Sequence, residues 1–148
     1  MARGSRHQAR IAALQALYEA DNSGHPALEA LGRIVATQRV PQDSASFARE
    51  LLEGVLAQQD SIDQVIAGAA PAWPVEQLPA VDRNILRLAI REMLEDNRTP
   101  LRAIISEAVE LAKQFGSESS SKFVNGVLGS IARGRQESDS NHATAKRR

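Results

Sequence analysis

Apolar residues recur at spacings of three and four along most of the chain, from Ile11 to Ile131. This spacing places them on one face of an α-helix. Strands would instead show strict alternation between turns, and no such segment is found. The sequence therefore predicts an all-α fold of about seven helices.

Turn-forming residues separate the first four predicted helices. The first runs from about Gln8 to Asp21 and ends at the break from Asn22 to Pro26. It carries Ile11, Leu14, Leu17 and Tyr18 on one side. The second helix carries Leu28 to Val35. The third is capped by Asp43 or Ser44 and directs Phe47, Leu51, Val55 and Leu56 toward the core, and the fourth starts at Asp60 or Ser61.

The segment from Gly68 to Pro79 holds three prolines and the single tryptophan, so it cannot form one regular helix. It predicts a boundary between an N-terminal lobe, about 8–67, and a C-terminal lobe, about 78–133. The second lobe contains a central helix that is apolar on more than one side, Val81 to Leu94, a helix from Thr99 and Pro100 to Phe115, and a last helix with Phe123, Val127 and Ile131. One domain, 1–134, is expected, followed by a disordered polar tail, 135–148.

Composition narrows the class of protein. The 148 residues include no cysteine, which excludes disulfides and thiolate chemistry, and no apolar run approaches the roughly 18 residues of a membrane span. The first thirty residues also lack the apolar segment of a secretory signal. A cytoplasmic protein without membrane association is expected.

The formal net charge of zero conceals basic ends. Residues 1–10 contain three arginines and no acid, and residues 133–148 contain five basic residues against two acidic ones. The body of the chain is correspondingly acidic. Basic ends that bind a polyanion and two solvated tails are equally compatible with this pattern.

The N-terminal run Arg3, Arg6, His7 and Arg10 has the chemistry to bind phosphate and to stack on bases. If the first helix extended backward, the three arginines would fall within about 40° of the line through Leu14 and Leu17. Arginines are not expected to continue a buried face. This segment is therefore predicted to overhang the core or to unwind into an arm, which either orders on RNA or is a frayed terminus.

Residues 121–126, Ser-Lys-Phe-Val-Asn-Gly, place a cation, an aromatic ring and an amide at a helix start. Phe123 is a candidate for base stacking. However, Phe123, Val127 and Ile131 also have the spacing of core residues, and in isolation the core interpretation is favoured.

No catalytic, metal or cofactor site is predicted. His7, His25 and His142 lie in the arm, a loop and the tail, and have no metal-ligand spacing. Carboxylates on the later helices could pair in an acid–base or metal site, but ion pairs with neighbouring arginines are the simpler interpretation. These are Asp82, Glu92, Glu107 and Glu110, with Arg83, Arg87, Arg91 and Arg102 nearby.

Four ordered segments together resemble the NusB family. They are Arg-His-Gln-Ala-Arg followed by Ala-Leu-Gln-Ala-Leu-Tyr, then Leu-Pro-Ala-Val-Asp-Arg-Asn-Ile-Leu-Arg-Leu-Ala at 78–89, Glu-Ala-Val-Glu-Leu-Ala-Lys-Gln-Phe-Gly at 107–116 and Phe-Val-Asn-Gly-Val-Leu at 123–128. The resemblance spans about residues 5–132. Arg91, Ser106 and Ser119 depart from the family pattern.

The resemblance implies a fold and a non-enzymatic function. The fold would be two three-helix bundles packed roughly perpendicular. The function would be transcription antitermination. The protein would bind single-stranded boxA RNA of ribosomal RNA operon transcripts together with NusE, a small-subunit ribosomal protein. With other Nus factors, the bound pair would help RNA polymerase to resist termination. Some members form homodimers.

The resemblance also assigns roles to residues of this chain. It implies RNA contacts at Arg3, Arg6, Arg10, Tyr18, Phe123 and Asn125, to which the two segments above add His7 and Lys122. It places NusE near the start of the central helix, at Asp82 and Arg83.

Two rival functions stay open at this stage. A purely protein-binding helical module would bind its partner equally well without residues 1–10. An RNA-modifying enzyme is suggested because NusB-like domains also occur fused to ribosomal RNA methyltransferases, but the polar C-terminal tail leaves no room for such a domain.

Overall fold

The computed structural model describes residues 3–95 and 99–146, with side chains for 4–95 and 99–135. Seven α-helices and no strand occur in these ranges, which confirms the predicted all-α fold. The helices are α1 (Arg3–Ser23), α2 (Ala27–Thr37), α3 (Gln42–Ala57), α4 (Gln59–Ala69), α5 (Ala80–Leu94), α6 (Leu101–Phe115) and α7 (Ser120–Lys146).

The helices pack as two groups around one continuous core. Helices α1, α2 and α3 contact one another, as do α5, α6 and α7. Helix α4 joins the second group through α5 and α7, and α5 also packs on α1 and α3. The perpendicular arrangement of the bundles and the division into lobes stay predictions.

Helix α5 lies at the centre of the molecule, as its apolar pattern predicted. Its residues from Asn84 to Ile90 are all buried, as are Glu92 and Met93. A helix buried on every side must give each polar residue a partner, because an unpaired polar group in the interior costs stability. Asn84 and Arg87 accordingly bond to Asp21 and Asp63, respectively.

The proline-rich segment separates α4 from α5. It contains one 3₁₀ turn, Val75–Gln77, and α5 begins directly after Pro79. Trp73 is 60% exposed, so it does not anchor the segment in the core.

Helix starts differ from the predicted caps. Helices α3 and α6 begin after Pro41 and Pro100, and neither has a side-chain cap. Proline fits because its φ already suits a helix start, and it has no N–H that needs a partner. The predicted cap Ser44 is buried inside α3, and Leu56, predicted to face the core, is 41% exposed.

Both terminal helices are longer than the sequence indicated. Helix α1 begins at Arg3 rather than near Gln8. Helix α7 continues to Lys146, where a disordered tail was expected. Extending a helix that packing has already nucleated costs little, and residues 135–146 contain no proline or glycine to stop it.

Candidate nucleic-acid interface

The first turns of α1 pack against α5 and α6 through a buried charge cluster. The side chain of Arg10 donates from Nε and Nη2 to the two carboxylate oxygens of Glu92, at 2.9 and 2.8 Å. Its Nη1 lies 3.6 Å from Oε2 of Glu107. Arg10 is only 3% exposed, so this bidentate pair is in the interior.

Arg6 and His7 attach the same turns to α3 and α6. Nη1 of Arg6 donates to the Thr99 hydroxyl at 2.8 Å, and its guanidinium lies 5.2 Å from the centre of the Phe47 ring. Nδ1 of His7 is 2.8 Å from Oε2 of Glu107. The N-terminal turns are thus fixed from two sides.

These contacts correct the prediction of an overhanging or unwound arm. Arg10 does continue the buried face of α1, because Glu92 and Glu107 on facing helices neutralise it inside the molecule, whereas Arg6 is only partly buried. The two hydrogen bonds between Arg10 and Glu92 offset the cost of removing both charges from water. The predicted ion-pair role of these carboxylates was right in kind, but their partner comes from α1.

Two grooves flank the start of α6. The first, of about 600 Å³, lies between α1 and α6. Its lining includes Arg6, Arg10, Thr99, Arg102, Ser106 and Glu107. The second, of about 650 Å³, lies between α6 and α7 and includes Arg102, Ser106, Lys113 and Asn125.

The predicted RNA-binding residues do not all meet in these grooves. The side chain of Arg3 lies outside the described residues. Tyr18, 45% exposed, is twelve residues beyond Arg6, which is about 18 Å along α1. Leu14 and Leu17, which the pattern placed on the same side of α1 as Tyr18, are buried.

The α7 residues divide between two faces of their helix. Lys122 and Asn125 are exposed, whereas Phe123 is half-buried and packs on the core. Residues two apart on a helix point in different directions, so Phe123 and Asn125 lie on different faces of α7. Asn125 faces the groove along α6.

The structure corrects the expected partner contact at Asp82. Asp82 is 5% exposed and accepts a hydrogen bond of 2.6 Å from the hydroxyl of Ser120. The same Ser120 oxygen accepts from the N–H of Ser117. Asp82 therefore fixes the start of α7 onto α5, and its carboxylate is not presented to a partner.

Arg83 ties the start of α5 to the end of α1. Its Nη2 donates to Asp21 at 2.9 Å, and Nη1 donates to backbone oxygens of the preceding turn. Burial raises the pKa of Asp21, but hydrogen bonds from Arg83 and Asn84 outweigh it and leave that pKa below its ordinary value. Arg83 also lines a groove that holds Asp60, Asp63 and Glu76.

Sequence reasoning missed two residues at the grooves. Arg102 was expected to form an ion pair, yet it is exposed and has no ion pair with any residue that the structure describes. Ser106 was noted only as a departure from the family pattern, and it lines both grooves. Their spacing of four residues on α6 was the signal that could have placed them together.

The described side chains include no group of three His, Cys, Asp or Glu residues able to hold a metal. In the same part of the chain, no helix is long and apolar enough to cross a bilayer. Fold and site together define an all-helical protein with arginine-lined surface grooves and a charged junction between its helix groups.

The comparisons with known proteins supply the family. The model of the NusB family matches residues 7–133. Transcription antitermination protein NusB of Chloroflexus aggregans is 48% identical over 85% of this chain and 85% of its own length. That of Roseiflexus castenholzii is also 48% identical, over 85% of this chain and 90% of its own. This chain therefore belongs to the NusB family.

Solved structures agree with that assignment. NusB of T. maritima is 33% identical, with a TM-score of 0.81 over 86% of this chain and 90% of that chain. A chain from a complex of the antitermination factors NusB and NusE with double-stranded RNA is 28% identical, with a TM-score of 0.81 over 90% of this chain and 99% of its own. The named relatives are antitermination proteins rather than enzymes, which confirms the expectation of a non-enzymatic function.

Proposed function

We propose that this protein is a transcription antitermination factor that binds boxA RNA of ribosomal RNA operon transcripts together with NusE. The bound pair, with other Nus factors, helps RNA polymerase resist termination. It acts in the cytoplasm as an adaptor, without catalysis. Family membership and the relatives' names support the process, and the related complex of NusB and NusE with double-stranded RNA supports NusE and RNA as partners.

The groove between α1 and α6 is the observation that carries RNA binding. Arg6 lines it from α1, while the acid in its lining, Glu107, is engaged by His7 and Arg10. The groove therefore presents cationic groups, and the negative charge of Glu107 beside them is already balanced by His7 and Arg10. Phosphate attraction of this kind supplies much of the affinity of proteins for nucleic acids.

Arg10 serves this surface indirectly in the proposed mechanism. Its guanidinium would have to leave Glu92 to reach a phosphate, and that would strand a buried carboxylate. Its role is to hold the first turns of α1 in place. Arg6 and His7, which are partly exposed, are the RNA contacts from those turns.

Base recognition falls to side chains outside the first groove. The exposed ring of Tyr18 is available for stacking, and the amide of Asn125 can donate to and accept from a base edge. Lys122 contributes charge at the start of α7, and Phe123 adds the accessible part of its ring. Unpaired bases expose these edges, so single-stranded RNA is the proposed ligand.

The proposed NusE surface lies at the start of α5. Asp82 is withdrawn from it because its carboxylate is buried against Ser120. Arg83 is the proposed contact with NusE, because its side chain lines the groove with Asp60 and Glu76.

Replacing an exposed aromatic tests the RNA-binding role. Tyr18→Ala should weaken boxA binding about tenfold, because stacking of one base on an aromatic ring contributes about 1–3 kcal/mol. Trp73→Ala is the matched control, since Trp73 is also exposed but lies beside the acidic groove that contains Pro74 and Glu76.

Fluorescence anisotropy with labelled boxA RNA measures both variants. Weaker binding by Tyr18→Ala alone supports the proposed surface. Equal affinities for the two variants and the parent would contradict a stacking role for α1.

A further inference from the structure

The two grooves beside α6 meet at one stretch of helix surface. Arg102 and Ser106 line both of them, one helical turn apart. The first groove leads to Arg6 on α1, and the second leads to Asn125 on α7. A linear polyanion that follows both grooves must therefore pass over Arg102.

Arg102 is available to such a ligand, unlike most arginines around the core. Arg10, Arg83 and Arg87 are each held by a carboxylate, with nitrogen to oxygen distances of 2.8 to 2.9 Å. Arg102 is exposed and has no ion pair with any described residue. Binding a phosphate here breaks no ion pair among the residues that the structure describes.

The acids near Arg102 are already engaged by other groups. Glu107 contacts His7 and Arg10, and Glu110 lies 3.8 Å from Lys113. Ser106, four residues beyond Arg102, adds a hydroxyl that can donate to a phosphate oxygen. The shared wall of the grooves therefore favours an anion. The planar guanidinium of Arg102 can donate two hydrogen bonds to two oxygens of one phosphate.

We propose that Arg102 is the phosphate-binding residue that joins the two grooves into one path for single-stranded RNA. This inference rests on the proposed function and adds a contact that spans α1, α6 and α7. A phosphate contact positions RNA without reading its sequence. Arg102 therefore raises the affinity for boxA and for unrelated RNA alike, and leaves the ratio of the two unchanged.

The test compares Arg102→Gln with the parent and with Arg49→Gln. Arg49 is also exposed, but it pairs with Glu53 and lines a different groove, between α2 and α3. Both variants lose one positive charge. Full-length proteins are titrated into labelled boxA and scrambled single-stranded RNA across a range of salt concentrations, and thermal unfolding checks that each variant is folded.

Arg102→Gln should weaken the binding of both RNAs at least about tenfold at low salt, the scale of one hydrogen bond to a charged group. The slope of log K against log salt should become shallower by about 0.7, because the variant neutralises one phosphate fewer on a single strand. Arg102→Lys should keep the parent's slope because it keeps the charge. Arg49→Gln should match the parent in both affinity and slope.

Two results would overturn the inference while leaving the proposed function intact. One is a folded Arg102→Gln variant with unchanged affinity and slope. The other is unchanged RNA binding with weaker NusE binding, which would make Arg102 part of a protein interface. If the parent itself binds neither RNA, the proposed function fails, and the inference fails with it.

Discussion

Arg10 shows how a single residue changes meaning once its partner is known. In the sequence it belongs to a basic N-terminal run, whereas in the structure it is buried and bonded twice to Glu92. A buried arginine is tolerated when a carboxylate accepts two well-aligned hydrogen bonds from its guanidinium. The pair joins the first turns of α1 to α5 and so positions Arg6 and His7 at the surface.

Breaking this pair from one side should be costly. Arg10→Met leaves the Glu92 carboxylate buried and unpaired, so the free energy of unfolding should fall by about 3–5 kcal/mol. The double variant Arg10→Met and Glu92→Leu should recover most of that decrease, because it removes both charges. Urea unfolding measures all three proteins. A decrease below about 1 kcal/mol in the single variant would mean that the pair is not a structural charge cluster.

At the scale of elements, the contact between α3 and α5 depends on the absence of a side chain. A Cβ added at Gly54 would lie 2.0 Å from Nε of Arg91, so the arginine side chain lies directly over the glycine. Arg91 also donates to Gln58 and Glu95, which ties α5 to the end of α3. Arg91 departs from the family pattern, and Gly54 is the position that accommodates it.

The effect of Gly54→Ala should change sign with the residue at 91. In the parent, the new methyl group displaces the outer part of the Arg91 side chain, which loses its contacts with Gln58 and Glu95, so the free energy of unfolding should fall by about 1 kcal/mol. In an Arg91→Ala background the clash is gone, and alanine should stabilise the helix by up to about 1 kcal/mol over glycine. Urea unfolding of the four proteins gives the coupling. The same sign in both backgrounds would show that Arg91 does not pack on Gly54.

The element scale also shows what sequence patterning can predict. Apolar spacing located all seven helices, and the all-round apolar pattern of residues 81–94 identified α5 as central, because burial leaves a periodic signal. Ion pairs leave none: Arg10 and Glu92 are 82 residues apart, and His7 and Glu107 are 100 apart. The helical start of α1 depends on such pairs. Asp82 was misjudged for a related reason, since its partner Ser120 lies 38 residues away.

At the scale of the whole molecule, charge is sorted between grooves although the net charge is zero. Asp21, Asp60, Asp63 and Glu76 line the groove that also holds Arg83 and Arg87. The grooves beside α6 instead hold Arg6, Arg102 and Lys113, with Glu107 and Glu110 engaged by neighbouring cations. Such sorting suits an adaptor that binds RNA at one surface and a protein at another.

The most direct test of this account is the affinity of the protein for boxA RNA, with and without NusE. Fluorescence anisotropy at two salt concentrations would compare labelled single-stranded boxA with a scrambled strand and with a duplex of the boxA sequence. Single-stranded boxA should bind tightest, NusE should increase this preference, and all binding should weaken as salt rises. Equal, weak and salt-labile binding to every RNA, unchanged by NusE, would contradict it.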